Sequence, residues 1–201
     1  TLLLFTFGMT ACSDFLDEVN HSSQSADKYY QTKGGYESLI VGCYSNLKNI
    51  YNTTTYQIFT QQGTDVFTQN YPTEVAAMNQ YTTTYQSNNG TIYAMWSSYF
   101  NALNNVNAAI DRSKSVILKT DDPDGIEPSA LTQLVAEAKA LRAWYLFEIV
   151  RNWGQGPLKI NESKEPSYTV EYSNGAAFYQ QIFTDLEEAI SVLPWRQTGS
   201  N

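Results

Sequence analysis

The 201-residue sequence has few basic residues, a single histidine and only two cysteines. Its 12 Lys and Arg residues against 20 Asp and Glu residues give a net charge of −8. This balance disfavours nucleic acid as a partner, because phosphate binding needs clustered basic side chains. His21 has no cysteine or second histidine nearby, so neither a zinc site nor a Ser-His-Asp triad is supported. No pair of carboxylates is singled out either, so we expect no enzyme, no cofactor and no metal site.

Charged residues of both signs are also scarce, at 16% of the chain against the roughly 25% typical of globular proteins. Hydrophobic residues make up 42%, which excludes disorder driven by charge repulsion. One domain is the expectation at this length. What the chain has in excess is tyrosine, with 15 copies among many Asn, Gln and Thr residues. Such amphipathic side chains suit a surface that binds neutral polar ligands.

The chain begins with an apolar run that ends at Cys12 and is too short to cross a bilayer, which takes about 20 apolar residues. It has the length of the hydrophobic region of a signal peptide. No initiator Met and no basic flank precede it, so we expect the first residues to be missing. Thr10 and Ala11 before Cys12 resemble a bacterial lipobox. The acidic residues that follow resemble the surface-export tag of Bacteroidetes-type lipoproteins, and they are Asp14, Asp17 and Glu18.

Two interpretations of this leader stay open. In the first, residues 1–11 are a truncated lipoprotein signal peptide, Cys12 is lipidated and residues 12–33 are the tether, so that acyl chains hold the protein on a membrane. In the second, an ordinary leader is cleaved and Cys12 is incidental. Under the first interpretation Cys43 has no disulfide partner, and its place on an apolar helical face predicts a buried thiol.

Hydrophobic residues recur at helical spacing in four stretches of the predicted domain, residues 34–201. The stretches run from 32–35 to Asn52, from 88–90 to beyond Ile110, from Pro128 to Gly154, and from about 174 to 193. They predict an all-α fold of antiparallel helix pairs, with an extended connection between the third and the fourth helix. Ala189 and Pro194 have the spacing found in a tetratricopeptide repeat.

The segment 51–91 differs from the rest, because Asp65 and Glu74 are its only charged residues and it holds seven aromatic residues. A connection this long is usually functional or disordered, and so many aromatic residues argue against disorder. A pyranose ring offers apolar faces to aromatic side chains and hydroxyls to polar ones, so the segment is predicted to meet a sugar. The candidate glycan-binding residues are Asp65, Phe67, Tyr71, Tyr81 and Tyr85. The alternative is that these tyrosines only pack the segment onto the helices.

Other aromatic and charged residues are predicted to be structural. Tyr51, Tyr56 and Phe59 lie near the first helix and are expected in the core. Packing against neighbouring residues is expected for the tryptophans on helical faces, which are Trp96, Trp144 and Trp153. Arg142 and Glu137 are expected to form structural pairs rather than to bind ligand.

The third helix carries the most specific pattern of the chain. The pattern consists of Glu137-Ala138, Leu141-Arg142-Ala143-Trp144-Tyr145, Val150-Arg151, Trp153-Gly154 and Pro157-Leu158. It closely resembles the hallmark of SusD/RagB-family outer-membrane lipoproteins. Further family-like residues are Trp96, Tyr99 and Asn107 before it, and the block 178–194 after it. Members are usually much longer, so we expect this sequence to be the N-terminal part of one, incomplete at both ends.

The resemblance implies a tetratricopeptide-like scaffold with a long irregular loop insertion, in a nutrient-uptake lipoprotein of the outer membrane that faces the cell exterior. It implies that the protein captures oligosaccharides and delivers them to a TonB-dependent SusC-like transporter. An alternative is a helical-repeat lid or scaffold lipoprotein that binds protein or peptide ligands rather than glycans. A carbohydrate-active enzyme is a third alternative, which the residues do not support.

Overall fold

The computed structural model describes residues 26–67, 74–82, 86–165 and 169–195. Over these ranges the chain forms seven α-helices and a short 3-10 helix at Ser113–Ser115, and no β-strand. The α-helices are α1 Ala26–Tyr29, α2 Lys33–Tyr51, α3 Thr54–Gln61, α4 Glu74–Gln80, α5 Gly90–Arg112, α6 Pro128–Trp153 and α7 Gly175–Val192. The all-α class predicted from hydrophobic spacing is confirmed. No helix within the described ranges is long and apolar enough to cross a membrane.

The four predicted helices correspond to α2, α5, α6 and α7, and each begins at a residue suited to that place. Thr32, Asn89 and Asn174 cap α2, α5 and α7, because their side-chain oxygens accept backbone N–H groups of the first turn. Helix α6 begins instead with Pro128, whose missing N–H costs nothing there. It ends at Gly154, which has a φ of 75°. Local chemistry therefore sets these boundaries.

The core lies between α2, α5, α6 and α7, with α6 in the centre and packed against both α5 and α7. Tyr36, Tyr99 and Tyr145 are fully buried in it, as their helical spacing predicts. Their hydroxyls donate hydrogen bonds, so burying them leaves no donor unsatisfied. The Tyr36 hydroxyl reaches the Ala109 carbonyl at 3.0 Å, and the Tyr145 hydroxyl reaches the Cys43 carbonyl at 3.2 Å.

Cys43 is a free, fully buried thiol, as predicted. Burial raises its pKa to about 12, because the thiolate would lose its hydration. The sulfur lies 3.5 Å from the Asn105 carbonyl, to which the thiol donates. Cys43 therefore acts as a small apolar residue between α2 and α5, while Cys12 lies outside the described residues.

A buried polar network fixes the extended connection between α6 and α7. The Arg142 guanidinium donates to both carboxylate oxygens of Asp185, at 2.8 and 2.6 Å, and to the Ile160 carbonyl at 2.9 Å. Asn107 donates its side-chain amide to two further carbonyls of that connection, at 3.1 and 3.2 Å. The structural role predicted for Arg142 is thus confirmed, and Glu137 accepts a hydrogen bond from the Tyr44 hydroxyl at 3.0 Å.

The predicted insertion between α2 and α5 is present, but it carries two short helices, α3 and α4, rather than being irregular throughout. Helix α3 starts after Thr53, whose hydroxyl oxygen accepts the Tyr56 N–H at 3.1 Å. Its aromatic residues pack against the core, in agreement with the prediction for Tyr56 and Phe59. The insertion is therefore attached to the helices along α3.

Of the predicted tether 12–33, the structure describes residues 26–33, which form α1 and lead into the first residue of α2. The Gln31 carbonyl accepts the Ile117 N–H at 2.8 Å. The Asp27 carboxylate pairs with Arg112 at 2.7 Å. Because the rest of the leader lies outside the described residues, the proposed boundaries at residues 11 and 33 stay a prediction.

Candidate ligand-binding cleft

An open cleft of about 930 Å³ lies where α3 approaches the start of α5 and the end of α6. Ligand sites in proteins commonly have volumes of roughly 300–1,000 Å³ and combine aromatic walls with a few polar groups. This cleft has both ingredients. Its lining residues are Tyr56, Phe59, Thr60, Ser87, Ile92, Tyr93, Trp96, Arg151, Asn152, Trp153 and Tyr172.

The floor of the cleft is a cluster of rings centred on Trp153, the last residue of α6. Phe59 of α3 stacks on Trp153, with ring centroids 5.7 Å apart and planes at 25°. Trp96 of α5 meets the same ring edge-on, at 5.1 Å and 87°. Edge-on and offset contacts are the favoured aromatic geometries, so the rings support one another. Three helices thereby build one aromatic platform.

The rim of the cleft carries two more exposed aromatic side chains. Tyr93, one turn before Trp96 on α5, is 69% exposed, and Tyr172 is 63% exposed. Tyr172 comes from the connection before α7, next to a two-hydrogen-bond bridge between Gly156 and Ser173, at 3.2 and 2.8 Å. Because this bridge holds the backbone beside Tyr172, its ring is carried by a fixed segment.

Arg151 and Asn152 form the polar side of the cleft, and a buried carboxylate holds both from behind. Glu148 is 1% exposed and accepts hydrogen bonds from Arg151 at 2.7 Å, from the Tyr99 hydroxyl at 3.1 Å and from the Asn152 amide at 3.4 Å. Burial, with the Glu148 charge adding to it, raises the pKa of Tyr99, so its hydroxyl stays a donor. The guanidinium of Arg151 also lies over the Phe147 ring, 5.6 Å from its centroid.

The residues predicted to bind glycan occupy a different part of the insertion. Asp65 and Phe67 are exposed in the turns after α3. Tyr81 is 69% exposed at the end of α4, and its hydroxyl donates to the Gly63 carbonyl at 2.9 Å. None of the three is among the lining residues of the cleft. Tyr71 and Tyr85 lie outside the described residues, and the whole set stays a prediction.

Sequence reasoning assigned some cleft residues to packing and did not single out others. Trp96 and Trp153 do pack, as expected, but they also face the cleft. Tyr93, Tyr172 and the polar side chains at the end of α6 were not predicted as site residues. A signal existed for Tyr93, because it lies off the apolar stripe of α5 and must therefore be exposed.

Trp144 packs only in part, because its ring contacts the rings of Tyr51 and Phe147 while the residue is 44% exposed. Its indole N–H donates to the Tyr51 hydroxyl at 2.7 Å. Together with Tyr44 and Leu47 it lines a second, smaller groove of about 420 Å³ between α2 and α6. That groove shares no lining residue with the cleft.

The chain is similar to known proteins in both sequence and fold. A family described as SusD-like, starch-binding and associating with the outer membrane matches residues 14–198. A SusD-like protein from Formosa agariphila is 26% identical over an alignment of 159 residues, which covers 75% of this chain and 29% of that protein.

Two solved structures show the likeness of the fold. A SusD superfamily protein from Bacteroides vulgatus has a TM-score of 0.69 at 21% identity, covering 85% of this chain and 36% of its own. A laminarin-binding SusD-like protein has a TM-score of 0.63 at 21% identity, covering 82% and 35%. The chain thus spans about a third of the length of these relatives.

Proposed function

Because the chain belongs to the SusD-like family, as residues 14–198 show, we propose that it is part of a protein that captures oligosaccharides at the cell surface. We place one contact surface for the sugar in the cleft between α3, α5 and α6. The chain spans about a third of its relatives, so further contacts are expected from a longer protein.

The observation that carries this proposal is the pairing of exposed aromatic rings with polar side chains in one cleft. Tyr93 and Tyr172 present ring faces that can stack on the C–H face of a pyranose. Arg151 and Asn152 present hydrogen-bonding groups to the hydroxyl rim. A laminarin-binding protein of similar fold supports a β-glucan as the first ligand to examine.

The proposal is tested by isothermal titration of the chain with a panel of oligosaccharides that includes laminarin fragments. Tyr93→Ala and Tyr172→Ala should each weaken binding about tenfold, or about 1.4 kcal/mol, since each removes a stacking ring. Both side chains are more than half exposed, so the fold should survive. The matched control is Tyr179→Ala, which removes a tyrosine that is 41% exposed on α7 and outside the cleft.

Two outcomes would count against the proposal. One is a panel without any binding, and the other is an equal loss of affinity in Tyr179→Ala and in the cleft variants. Retention of peptides with no response to sugar would favour the alternative of a helical lid that binds peptide ligands. Recovery of every oligosaccharide intact after incubation would agree with binding without turnover, as in a binding protein rather than an enzyme.

For the longer protein we propose anchorage in the outer membrane through lipidated Cys12 and delivery of the sugar to a SusC-like TonB-dependent transporter. Association of the family with the outer membrane supports this arrangement. Expressed with an intact export leader, Cys12→Ala should move the protein from the membrane fraction to the soluble fraction. Membrane retention of that variant would contradict the anchor, and failure to copurify with the transporter would contradict the delivery step.

A further inference from the structure

The charge of Arg151 is the feature of the cleft that the binding of neutral sugars does not by itself require. Among the described lining residues, Arg151 alone carries a charge. Its side chain is 48% exposed, whereas that of its partner Glu148 is 2% exposed. The cation therefore faces the cleft, and the compensating anion is buried behind it.

The ion pair with Glu148 holds the Arg151 side chain in place. A buried carboxylate that loses its cationic partner is strongly destabilised, since neither water nor another charge replaces it. The Tyr99 hydroxyl and the Asn152 amide hold the same carboxylate in place, at 3.1 and 3.4 Å. The Phe147 ring, 5.6 Å from the guanidinium carbon, supports the guanidinium through its π face. An incoming anion would compete with the Glu148 carboxylate for the charge of Arg151.

The hydrogen-bonding groups left over suit a neutral ligand. A guanidinium has five N–H donors, and only one nitrogen of Arg151 is bound to Glu148. The amide nitrogen of Asn152 donates to the Glu148 carbonyl at 2.7 Å, while its oxygen takes no part in these bonds. The cleft thus offers a donor beside an acceptor. Sugar hydroxyls both donate and accept, whereas a carboxylate or sulfate only accepts and would face the Asn152 oxygen unfavourably.

We propose that Glu148 is a specificity-determining positioning residue, which neutralises Arg151 and so makes the cleft select uncharged over acidic oligosaccharides. This inference rests on the proposed function, because it concerns the same cleft. Glu148 does not contact the sugar itself; it acts by positioning Arg151 and Asn152, from which it accepts hydrogen bonds.

The first test compares a neutral gluco-oligosaccharide with an oligogalacturonate of equal length by isothermal titration of the chain at low and at physiological salt. The neutral ligand should bind at least about tenfold more tightly at both. Tighter binding of the oligogalacturonate would overturn the inference and leave sugar binding intact. Binding of neither ligand would overturn the proposed function and this inference with it.

The second test replaces the carboxylate. Glu148→Gln keeps the shape of the side chain but frees the Arg151 charge, so affinity for the oligogalacturonate should rise about tenfold and fall again with added salt. Affinity for the neutral ligand should fall by about threefold. The matched control is Glu187→Gln, which removes the same charge from the exposed face of α7, outside the cleft, and should leave the ratio of affinities unchanged. An unchanged ratio in Glu148→Gln would refute the proposal.

Circular dichroism verifies that Glu148→Gln is folded. If it is not, the double variant Glu148→Gln with Arg151→Gln serves, because it leaves no buried charge unpaired. If Glu148 already neutralises Arg151, removing the Arg151 charge should weaken binding of the neutral ligand severalfold. Binding of the acidic ligand should weaken by no larger factor. A larger loss of affinity for the oligogalacturonate would show that Arg151 binds anionic ligands, and would contradict the inference.

Discussion

Arg142 and Asp185 form a bidentate ion pair in which both side chains are nearly inaccessible, at 8% and 1% exposure. The two N–O distances are 2.8 and 2.6 Å. The pair joins α6 to α7, and the third nitrogen of Arg142 holds the Ile160 carbonyl at 2.9 Å. Tyr172, on the rim of the cleft, belongs to the same connection between α6 and α7.

Asp185→Asn should destabilise the fold by about 3–5 kcal/mol, since it leaves the guanidinium buried without a counter-charge. Urea denaturation followed by circular dichroism measures the change in free energy of unfolding. The matched control is Glu188→Gln, three residues further on, where the carboxylate pairs with Lys139 and is 50% exposed. That variant should lose less than about 1 kcal/mol. Equal losses in both variants would show that the buried pair has no special weight.

Helices α2, α5, α6 and α7 could be predicted because their signals are local. Each has a cap or a proline at its start and an apolar stripe along one face, and these act within a few residues. Helices α3 and α4, at eight and seven residues, make about two turns each, which is too short for periodicity to separate them from a loop. Packing stabilises α3, whose Tyr56 meets Tyr51 of α2 edge-on at 4.7 Å.

The cleft could not be predicted because it depends on contacts between distant parts of the chain. Phe59 and Trp153 are far apart in sequence, yet their stacking makes the floor. Spacing on α6 shows that Trp153 lies on a helical face, but it does not show whether another element covers that face. Glu148 gave no signal either, because a charged residue in a helix is ordinarily solvated, whereas here it is buried and bound by Tyr99 of α5.

Asn89 is the cap that fixes the first turn of α5, where Tyr93 lies. Its side-chain oxygen accepts the N–H groups of Thr91 and Ile92, at 3.0 and 3.3 Å. Asn89→Ala should cost about 1 kcal/mol of stability and also weaken oligosaccharide binding, because the turn that carries Tyr93 loosens. Thermal denaturation and titration calorimetry measure the two effects. Asn89→Ser keeps a capping oxygen and should retain most of the stability and most of the binding affinity. Equal losses in Asn89→Ala and Asn89→Ser would exclude capping as the cause.

Stability should fall at alkaline pH because of the buried thiol of Cys43. Its pKa is raised from an ordinary value of 9.0 to about 12 by burial, so the unfolded chain loses this proton first as the pH rises. The stability that the buried Cys43 thiol contributes is therefore fully present below pH 9. It is lost between about pH 9 and 12, at up to about 1.4 kcal/mol per pH unit. Burial raises the pKa of Tyr36 and Tyr145 as well, so their contributions are lost at higher pH in the same direction.

Urea denaturation at pH 8, 9, 9.5 and 10 measures this loss of stability. Cys43→Ala should flatten the dependence on pH between 9 and 10, a window that lies below the ordinary pKa of 10.0 for tyrosine. The comparison uses the slope, because the substitution also changes packing at every pH. An identical slope in the variant and the unmodified chain would contradict a role for the thiol.

Gly42 and Gly154 both have room for a methyl group, because a Cβ at either position would meet no atom within 4 Å. Replacing them by alanine therefore tests the effect of backbone conformation without a steric clash. Gly42 lies in the interior of α2, where alanine is the better helix former, so Gly42→Ala should stabilise the fold by about 0.8–1 kcal/mol. Gly154 has a φ of 75°, so Gly154→Ala should destabilise it by about 1–2 kcal/mol. Thermal denaturation midpoints should therefore move in opposite directions, by roughly 2–4 °C per kcal/mol. Shifts of the same sign would mean that the end of α6 relaxes out of the left-handed conformation.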